Sequence, residues 1–246
     1  MAPYKIAEIF DSIQGEGYWA GYRMVFLRFA GCNVGRYISP ENLPSDLGPL
    51  RVLHPTHSIC TSVFGKQFLC DTNYFAMATY TTDELLQAVL ATGTNINRVC
   101  LTGGEPFIYD LRPLLTELLT RDIAVHIETS GTREILEPEG LKGQAWITVS
   151  PKAGILHSAR RRANEFKFLV SPEDGTPDSI VSLISEMAGF NFLPEDARPP
   201  IYLQGINGVS ELDLSSRDFL IEVLKAAPRG LNLALSVQMH KVLGLR

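Results

Sequence analysis

Apolar segments of strand length alternate with helix-like segments along most of this chain. β-branched, aromatic or other apolar side chains dominate five such segments, residues 24–29, 98–101, 123–127, 146–149 and 201–203. In residues 111–119, leucines recur at the spacing of one helical face. This alternation predicts a parallel sheet with right-handed crossovers. Because the units are too few for a closed eight-stranded barrel, we expect an α/β fold that forms a partial (open) TIM-like barrel with helices outside.

Nearly every predicted strand ends in a small polar cluster. The clusters are TGGEP (102–106), ETSGT (128–132), SPK (150–152), LQG (203–205) and SVQMH (236–240). Gly, Ser and Pro are ordinary turn residues, so a single cluster would indicate little. The C-terminal edge of parallel strands is where α/β folds build their active sites. Five clusters at that edge therefore predict a functional site.

Three of the four cysteines crowd one irregular segment, residues 28–72. Cys32, Cys60 and Cys70 are separated there by 27 and 9 residues, and the segment between them is rich in Pro, Ser and Gly. Thiolates on an irregular loop favour a metal or iron–sulfur centre over a disulfide. The spacing alone leaves zinc, or no metal at all, as alternatives.

The composition describes a soluble globular protein with a large core. Hydrophobic residues make up 45% of the 246 residues and charged residues 20%, and we expect one domain, residues 1–246. A net charge of −5 argues against a broad nucleic-acid or membrane surface. The N-terminus lacks the features of a signal peptide and no apolar run reaches the roughly 18 residues of a membrane span. We expect a cytoplasmic protein, in which the thiols stay reduced.

Arg28 is unusual because it lies inside an apolar strand, residues 24–29. A buried arginine needs an anion or a carboxylate as its partner. An arginine at the end of a strand, pointing into solvent, explains the pattern equally well.

Residues 102–106, Thr-Gly-Gly-Glu-Pro after an apolar strand, resemble the GGEP motif of radical S-adenosylmethionine (SAM) enzymes. Eight motifs in order then narrow the resemblance to the 7-carboxy-7-deazaguanine synthase family, and they span almost the whole chain. They are IQGEG (13–17), R…GCN (28–33), CDT (70–72), TGGEP (102–106), ETSG (128–131), SPK (150–152), YLQ (202–204) and SVQMHK (236–241).

The resemblance implies a lyase that breaks a carbon–nitrogen bond, with a 4Fe-4S cluster, SAM and Mg²⁺ as cofactors. The implied substrate is 6-carboxy-5,6,7,8-tetrahydropterin, and the product is 7-carboxy-7-deazaguanine, on the way to queuosine and other deazapurines. A homodimer and a flavodoxin-like or ferredoxin-like reductant are the implied partners, with no nucleic acid and no membrane.

The resemblance also implies roles for individual residues. Cluster ligands are expected at Cys32 and Cys70 from the resemblance and at Cys60 by elimination, and a Mg²⁺ ligand is expected at Thr72. Substrate contacts are expected from Ile13, Gln14, Gly15, Glu16, Arg28, Thr102, His240 and the chain-terminal Arg246. SAM contacts are expected from Gly103, Gly104, Glu105, Glu128, Ser130, Ser150, Pro151, Lys152 and Gln204.

The middle cluster ligand departs from the CxxxCxxC spacing that is common in radical SAM enzymes. Arg36 and Gln67 stand where that spacing would place cysteines, so the loop insertion covers residues 33–69. Cys100 lies within a strand and is expected to be structural. We predict that residues 61–69 fold as a hairpin around residues 64–66, which brings Cys60 back towards Cys70.

Two other functions remain open from the sequence. One is a different radical SAM enzyme, such as an activase or a modifier of another small molecule. The other is a non-catalytic zinc or structural protein that keeps the fold with an altered cysteine loop. Iron content and the reaction product distinguish these alternatives.

Overall fold

A nine-stranded sheet forms the framework of the computed structural model, which describes residues 3–37, 58–70, 72, 75–152, 154–190, 194, 197–206 and 216–245. In chain order the strands are β1 (Tyr4–Ile13), β2 (Arg23–Phe29), β3 (Arg36–Tyr37), β4 (Ser58–Thr61), β5 (Gln67–Leu69), β6 (Ala78–Tyr80), β7 (Arg98–Gly103), β8 (Ala124–Thr129), β9 (Trp146–Val149), β10 (Glu165–Val170), β11 (Ile201–Gly205) and β12 (Leu233–Leu235). The helices are α1 (Thr82–Thr92), α2 (Arg112–Leu119), α3 (His157–Arg162), α4 (Pro177–Met187), α5 (Arg217–Ala226) and α6 (Met239–Val242).

The strand order in the large sheet is β12-β11-β10-β9-β8-β7-β2-β1-β6. From β2 through β7 to β12, every neighbouring pair is parallel. Among the described strands, β12 and β6 are the two edges of the sheet and do not pair with each other. The prediction of a partial, open barrel is therefore confirmed.

The sheet is mixed rather than wholly parallel, because β1 runs antiparallel to both β2 and β6. Only residues 14–22 connect β1 to β2. A parallel connection needs a crossover of a dozen or more residues, so this short loop allows only the antiparallel arrangement.

Local sequence signals account for most element boundaries. A capping box begins α1: Thr81 accepts from the backbone of Glu84, and the Glu84 carboxylate accepts from the backbone of Thr81. The leucine face of α2 is buried in the core, as its spacing predicts. The last strand, β12, is short, because only Leu233–Leu235 pair with β11.

The cysteine-bearing segment contains a small separate sheet of order β3-β4-β5. The predicted hairpin is confirmed, since β4 pairs antiparallel with β5, with Cys60 opposite Phe68. The Cys70 amide donates to the Ser58 carbonyl at 2.7 Å, which extends this ladder by one residue. Because side chains alternate along a strand, Cys60 and Cys70 project from the same face of the hairpin. Residues 38–57 of the predicted insertion lie outside the described residues.

The loop between β1 and β2 crosses the N-terminal end of the parallel strands. Tyr18 stacks on Trp146, where β9 begins, with ring centroids 4.5 Å apart. Trp19 packs edge-on against the same indole, and the Arg98 guanidinium lies over the Trp19 ring. This aromatic group covers the end of the barrel opposite the predicted site. In the described part of the chain, no helix has the length and apolar character needed to cross a membrane.

Candidate active site

The predicted site residues converge on one cavity at the C-terminal edge of the parallel strands. Eighteen of the twenty-one predicted residues line it, although they come from segments far apart in the chain. The lining members are Ile13, Gln14, Gly15, Glu16, Arg28, Cys32, Cys60, Cys70, Thr72, Thr102, Gly103, Gly104, Glu128, Ser130, Ser150, Lys152, Gln204 and His240. This convergence is what the polar clusters at the strand ends predict.

The three loop cysteines lie on one side of this cavity, and none of them is in a disulfide. Cys60 is buried, and burial raises the pKa of its thiol. The Lys152 ammonium group counteracts that rise through its positive charge, and it also acts on Cys70. A cation beside two sulfur atoms favours their thiolate forms, which are the forms that bind metal.

The three loop cysteines are not gathered closely enough for one metal ion to bind all of them as they stand. Among the described residues, one group has donor atoms all within 4.8 Å of one another, as a single ion requires: Cys100, His126 and Glu128. The cavity cysteines do not form such a group. Thiolates around one zinc ion converge on bonds of about 2.3 Å, whereas those of an iron–sulfur cluster bind separate irons. Three cysteine thiols at one cavity are the ligand type that iron–sulfur clusters use.

The GGEP loop is packed against the loop that carries the first cysteine. The Gly104 amide donates to the Phe29 carbonyl at 3.1 Å, and the Glu105 amide donates to the Gly31 carbonyl at 3.0 Å. A Cβ atom at position 104 would overlap the Gly31 carbonyl oxygen and approach Cys32 Cβ to 3.0 Å. Glycine is therefore required at position 104 for the two loops to meet.

Glu105 lies beneath the cavity instead of lining it. Its fully buried carboxylate accepts from Thr129 Oγ1 at 2.7 Å, Ser130 Oγ at 2.5 Å, the Ser130 amide at 2.9 Å and the Phe107 amide at 3.2 Å. This carboxylate ties the loop after β7 to the loop after β8. Its position indicates a role in shaping the site rather than direct contact with a ligand.

Two further predicted positions are Pro151 and Arg246. Pro151 is buried next to two lining residues, Ser150 and Lys152. Arg246 lies outside the described residues, so the prediction of a substrate contact from the chain terminus stays a prediction.

Arg28 has carboxylate and hydroxyl partners inside the protein. Its Nε atom lies 3.2 Å from Glu8 Oε2, close enough for an ion pair but without hydrogen-bond geometry. Its Nη1 atom donates to Thr72 Oγ1 at 3.1 Å, and its guanidinium carbon lies 5.4 Å from the Phe10 ring centroid. Of the two explanations open from the sequence, the partnered arginine is correct. Its side chain lines the cavity.

Glu16 and Glu128 share one buried cation, Lys167. The Lys167 ammonium pairs with Glu16 Oε2 and lies 3.6 Å from Glu128 Oε1. Burial would lower the pKa of Lys167, but the two carboxylates outweigh burial and hold that pKa above the usual lysine range. Burial would likewise raise the pKa of Glu128, but Lys167 holds it well below its usual range. Glu128 is therefore held as an anion that accepts hydrogen bonds, and Glu16 pairs with the same cation.

Glu16 also receives two side-chain amides. Gln204 donates to its Oε1 atom at 3.3 Å and Gln238 donates to the same oxygen at 2.5 Å. Gln204, predicted on the SAM side, thus contacts a residue predicted on the substrate side. The two predicted subsites adjoin at this point.

Sequence reasoning missed Lys167 and Gln238, both of which line the cavity. Lys167 is a charged residue inside the alternating apolar strand EFKFLV, the same signal that singled out Arg28. Gln238 stands in the strand-end cluster SVQMH, in which only His240 was selected. The His240 ring is packed so closely on Gly15 that a Cβ atom there would overlap its Nδ1 atom.

Comparisons with known proteins agree with this geometry. The 7-carboxy-7-deazaguanine synthase of Escherichia coli K12 is 32% identical over 249 residues, which cover 98% of this chain and 99% of the relative. The synthase of Synechocystis is 30% identical over 251 residues, with 99% and 94% covered. That of Nitratidesulfovibrio vulgaris is 33% identical over 244 residues, with 98% and 99% covered. No family model matches the chain.

A solved structure supports the same relationship. The crystal structure of QueE from Escherichia coli superimposes with a TM-score of 0.62 at 26% identity, and the match covers 95% of this chain and 93% of that one. Near-complete coverage in both directions means that the similarity extends over the whole fold. The chain therefore belongs to the 7-carboxy-7-deazaguanine synthase family of radical SAM enzymes.

Proposed function

We propose that this protein converts 6-carboxy-5,6,7,8-tetrahydropterin to 7-carboxy-7-deazaguanine, with ring contraction and loss of ammonia. The observation that carries the proposal is the single cavity that holds three cysteines on one side and paired acids with an arginine on the other. Family membership supplies the reaction. The cavity supplies the groups that such a reaction needs.

We propose that Cys32, Cys60 and Cys70 hold a 4Fe-4S cluster, and that Gly104, Ser150 and neighbouring strand-end residues hold SAM. When bound, the cluster and SAM together supply a 5′-deoxyadenosyl radical that abstracts a hydrogen atom from the substrate. Three protein ligands leave one iron open for SAM. Lys152 supports the thiolate ligands with its positive charge and is itself held by Ser150 Oγ at 2.6 Å.

At the substrate end, the chain offers complementary groups for a carboxypterin. The Glu16 carboxylate suits the N–H edge of the pterin, and the Arg28 guanidinium suits the carboxylate. Thr102 Oγ1 donates to Glu128 Oε2 at 2.8 Å, which orients that acid at the cavity wall. Because these groups are already held by protein partners, little reorganisation is needed when the substrate binds.

Mg²⁺ is proposed at Thr72, whose hydroxyl is a hard oxygen donor of the kind this ion prefers. In the described structure that hydroxyl accepts from Arg28 Nη1. A cation next to a guanidinium group requires an anion between them, and the substrate carboxylate meets that need. We therefore expect Mg²⁺ and substrate to bind cooperatively, so that each lowers the dissociation constant of the other.

Water exclusion is the remaining requirement for radical chemistry. Phe10, Phe26 and Phe68 contribute apolar walls to the cavity. Phe10 and Phe26 stack with centroids 5.2 Å apart, which makes that wall rigid. We propose that these rings protect the reactive carbon from solvent.

We further propose a homodimer, reduction by a flavodoxin-like or ferredoxin-like protein, and a role in queuosine or related deazapurine biosynthesis. Val237, Val242 and Leu243, near the C-terminus, are each more than half exposed, which supports an interface on this face. The free cysteines suit the reducing cytoplasm, where we place the protein. One domain across residues 1–246 is supported by a core cluster that extends from β1 to the region after α5.

The proposal is tested by incubating the anaerobically reconstituted protein with SAM, a reductant, Mg²⁺ and the carboxypterin. We expect 7-carboxy-7-deazaguanine to form only when SAM, the reductant and Mg²⁺ are all present. Formation of 5′-deoxyadenosine without the deazapurine would mean a radical SAM enzyme with another substrate. A colourless, zinc-loaded preparation would mean a structural zinc protein.

A further inference from the structure

A chain of buried polar side chains crosses the barrel interior below the cavity. Its members are His126 on β8, Thr148 on β9 and Glu165 on β10, on three adjacent strands, and each is at most 3% exposed. None of the three lines the cavity. Burying three polar groups costs folding free energy unless all of their hydrogen bonds are formed. Their arrangement therefore indicates a structural or functional role.

The direction of each hydrogen bond in this chain follows from counting protons. Burial raises the pKa of Glu165, and hydrogen bonds from Thr148 and the Tyr18 amide oppose that rise. With Glu165 as a carboxylate, Thr148 donates its one hydroxyl proton to Glu165 Oε1 at 2.7 Å. His126 Nε2 lies 2.6 Å from the same hydroxyl oxygen, so the imidazole must donate there. The His126 ring is therefore protonated at Nε2, and its Nδ1 atom carries a lone pair.

That lone pair faces the side-chain amide of Gln14. Gln14 Nε2 lies 3.3 Å from His126 Nδ1, 3.2 Å from Glu128 Oε1 and 3.9 Å from Cys100 Sγ. The two amide protons of Gln14 thus have two strong acceptors, His126 Nδ1 and Glu128 Oε1. With the nitrogen held there, Gln14 Oε1 points the other way and accepts the Glu16 amide proton at 3.1 Å.

The ring stays neutral, as this arrangement requires. Burial, reinforced by the charge of Lys167, lowers the pKa of His126 to about 4. An imidazole protonated at both nitrogens would present a proton to the protons of the Gln14 amide. The neutral form is therefore the one compatible with the observed orientation of Gln14.

A metal ion is the competing explanation for this group, because the donor atoms of Cys100, His126 and Glu128 lie within 4.8 Å of one another. The Gln14 amide nitrogen lies within 3.9 Å of all three donors. Burial also raises the pKa of the Cys100 thiol well above its usual value, which disfavours the thiolate that a metal would need. The three acceptors are thus better matched to an N–H donor than to a cation.

We infer that His126 is a positioning residue, which fixes the Gln14 amide and through it the backbone of Glu16 at the base of the substrate cavity. The inference rests on the proposed function, since it assumes that the segment of residues 14–16 touches the carboxypterin. Thr148 and Glu165 extend the effect by selecting the tautomer of His126.

Three variants test this role in steady-state kinetics. His126→Phe keeps the ring but removes the acceptor, so the KM for the carboxypterin should rise about tenfold, as is typical when a buried donor is left unsatisfied. His126→Asn places an amide oxygen near the former Nδ1 position and should recover most of that loss. His157→Asn, at an exposed histidine, is the matched control and should leave the KM for the carboxypterin and the KM for SAM unchanged.

The KM for SAM separates positioning from general damage. It should change less than about twofold in His126→Phe, because the perturbed segment lies on the substrate side. Equal increases in both KM values, or no recovery with His126→Asn, would overturn the inference.

A second measurement does not depend on turnover. ¹⁵N-histidine NMR of the reconstituted protein should show the Nε2–H tautomer for His126, and Thr148→Val should abolish this preference. An Nδ1–H tautomer in the unmodified protein would overturn the inference, as would a bound zinc ion that is lost in His126→Phe. If the protein forms no deazapurine but the tautomer is as expected, the proposed substrate is wrong while the hydrogen-bond chain stands.

Discussion

At the scale of single residues, the cavity depends on how a few charges are balanced. Lys167 pairs with both Glu16 and Glu128 and holds the pKa of Glu128 low, and Arg28 tolerates its apolar strand because Glu8 lies beside it. Removing one partner of a buried pair leaves the other uncompensated, which costs more than the pair contributes. Single substitutions at these positions should therefore have large and specific effects.

Lys167→Met tests this charge balance. We expect kcat/KM to fall at least about 100-fold, because one of the two acids must take up a proton and lose its function as an acceptor. Lys167→Arg keeps the positive charge, so its kcat/KM should fall less than that of Lys167→Met. Lys142→Met, at an exposed surface pair with Glu139, is the control and should behave as the unmodified protein does. Equal activity in Lys167→Met and Lys142→Met would contradict the proposed role.

Cys60 is the ligand whose assignment needs the most direct test. Cys60→Ala should lose most of the iron and the visible absorbance of the reconstituted protein, because two thiolates do not hold a 4Fe-4S cluster of this kind. Cys100→Ala removes a buried thiol outside the cavity and should keep the iron content and the visible absorbance. A full, SAM-responsive cluster in Cys60→Ala would disprove the assignment.

At the scale of elements, the loops after β2, β7 and β8 are built as one unit. Glycine at position 104 permits contact with the Gly31 carbonyl, and Glu105 bonds to Thr129 and Ser130 in the next loop. The hairpin of β4 and β5 adds Cys60 and Cys70 from one face. A change in either the cysteine-bearing loops or the SAM loops should therefore alter cluster binding and SAM binding together.

Gly104→Ala tests this coupling. The added Cβ atom must push the loop that carries Cys32 away from the GGEP loop, so we expect lower iron content and weaker SAM binding together. Gly140→Ala is the control, because φ is +79° there but a Cβ atom would meet open space. The control should lose about 1 kcal/mol of stability and keep its cluster. Normal iron content with weak SAM binding in Gly104→Ala would show that the loops are independent.

At the scale of the whole molecule, the barrel interior carries several titratable groups, so its stability depends on pH. His126 is neutral inside the protein, with a pKa of about 4 in place of 6.5. The unfolded chain takes up a proton at this histidine as the pH falls below 6.5, and the folded protein does not. Stability is therefore lost progressively as the pH falls from 6.5 towards 4.

The expected loss attributable to His126 is about 3 kcal/mol across this range. Urea unfolding of the unmodified protein and of His126→Asn, at about pH 7 and about pH 5, measures it, because the variant lacks the titrating group. The difference in unfolding free energy between the two proteins should shrink on acidification. A constant difference would mean that His126 does not resist protonation in the folded protein.

Local patterns in the sequence are enough to predict the class of fold and most of the residues that line the cavity. Strand–helix alternation and strand-end clusters predict an open barrel and its active edge, because hydrophobic periodicity and turn chemistry are local properties. Motifs in a specific order identified Cys32, Glu16 and Arg28 as candidates, and the structure brings all three to one cavity.

The contacts between these side chains are visible only in the tertiary structure. Whether Arg28 has partners, whether Glu105 faces the cavity or the protein interior, and which cation serves Glu16 all depend on residues distant in the chain. The polar chain from Glu165 to His126 likewise exists because three adjacent strands place their side chains inside one barrel. Burial and long-range pairing set these roles, and neither can be read from spacing along the chain.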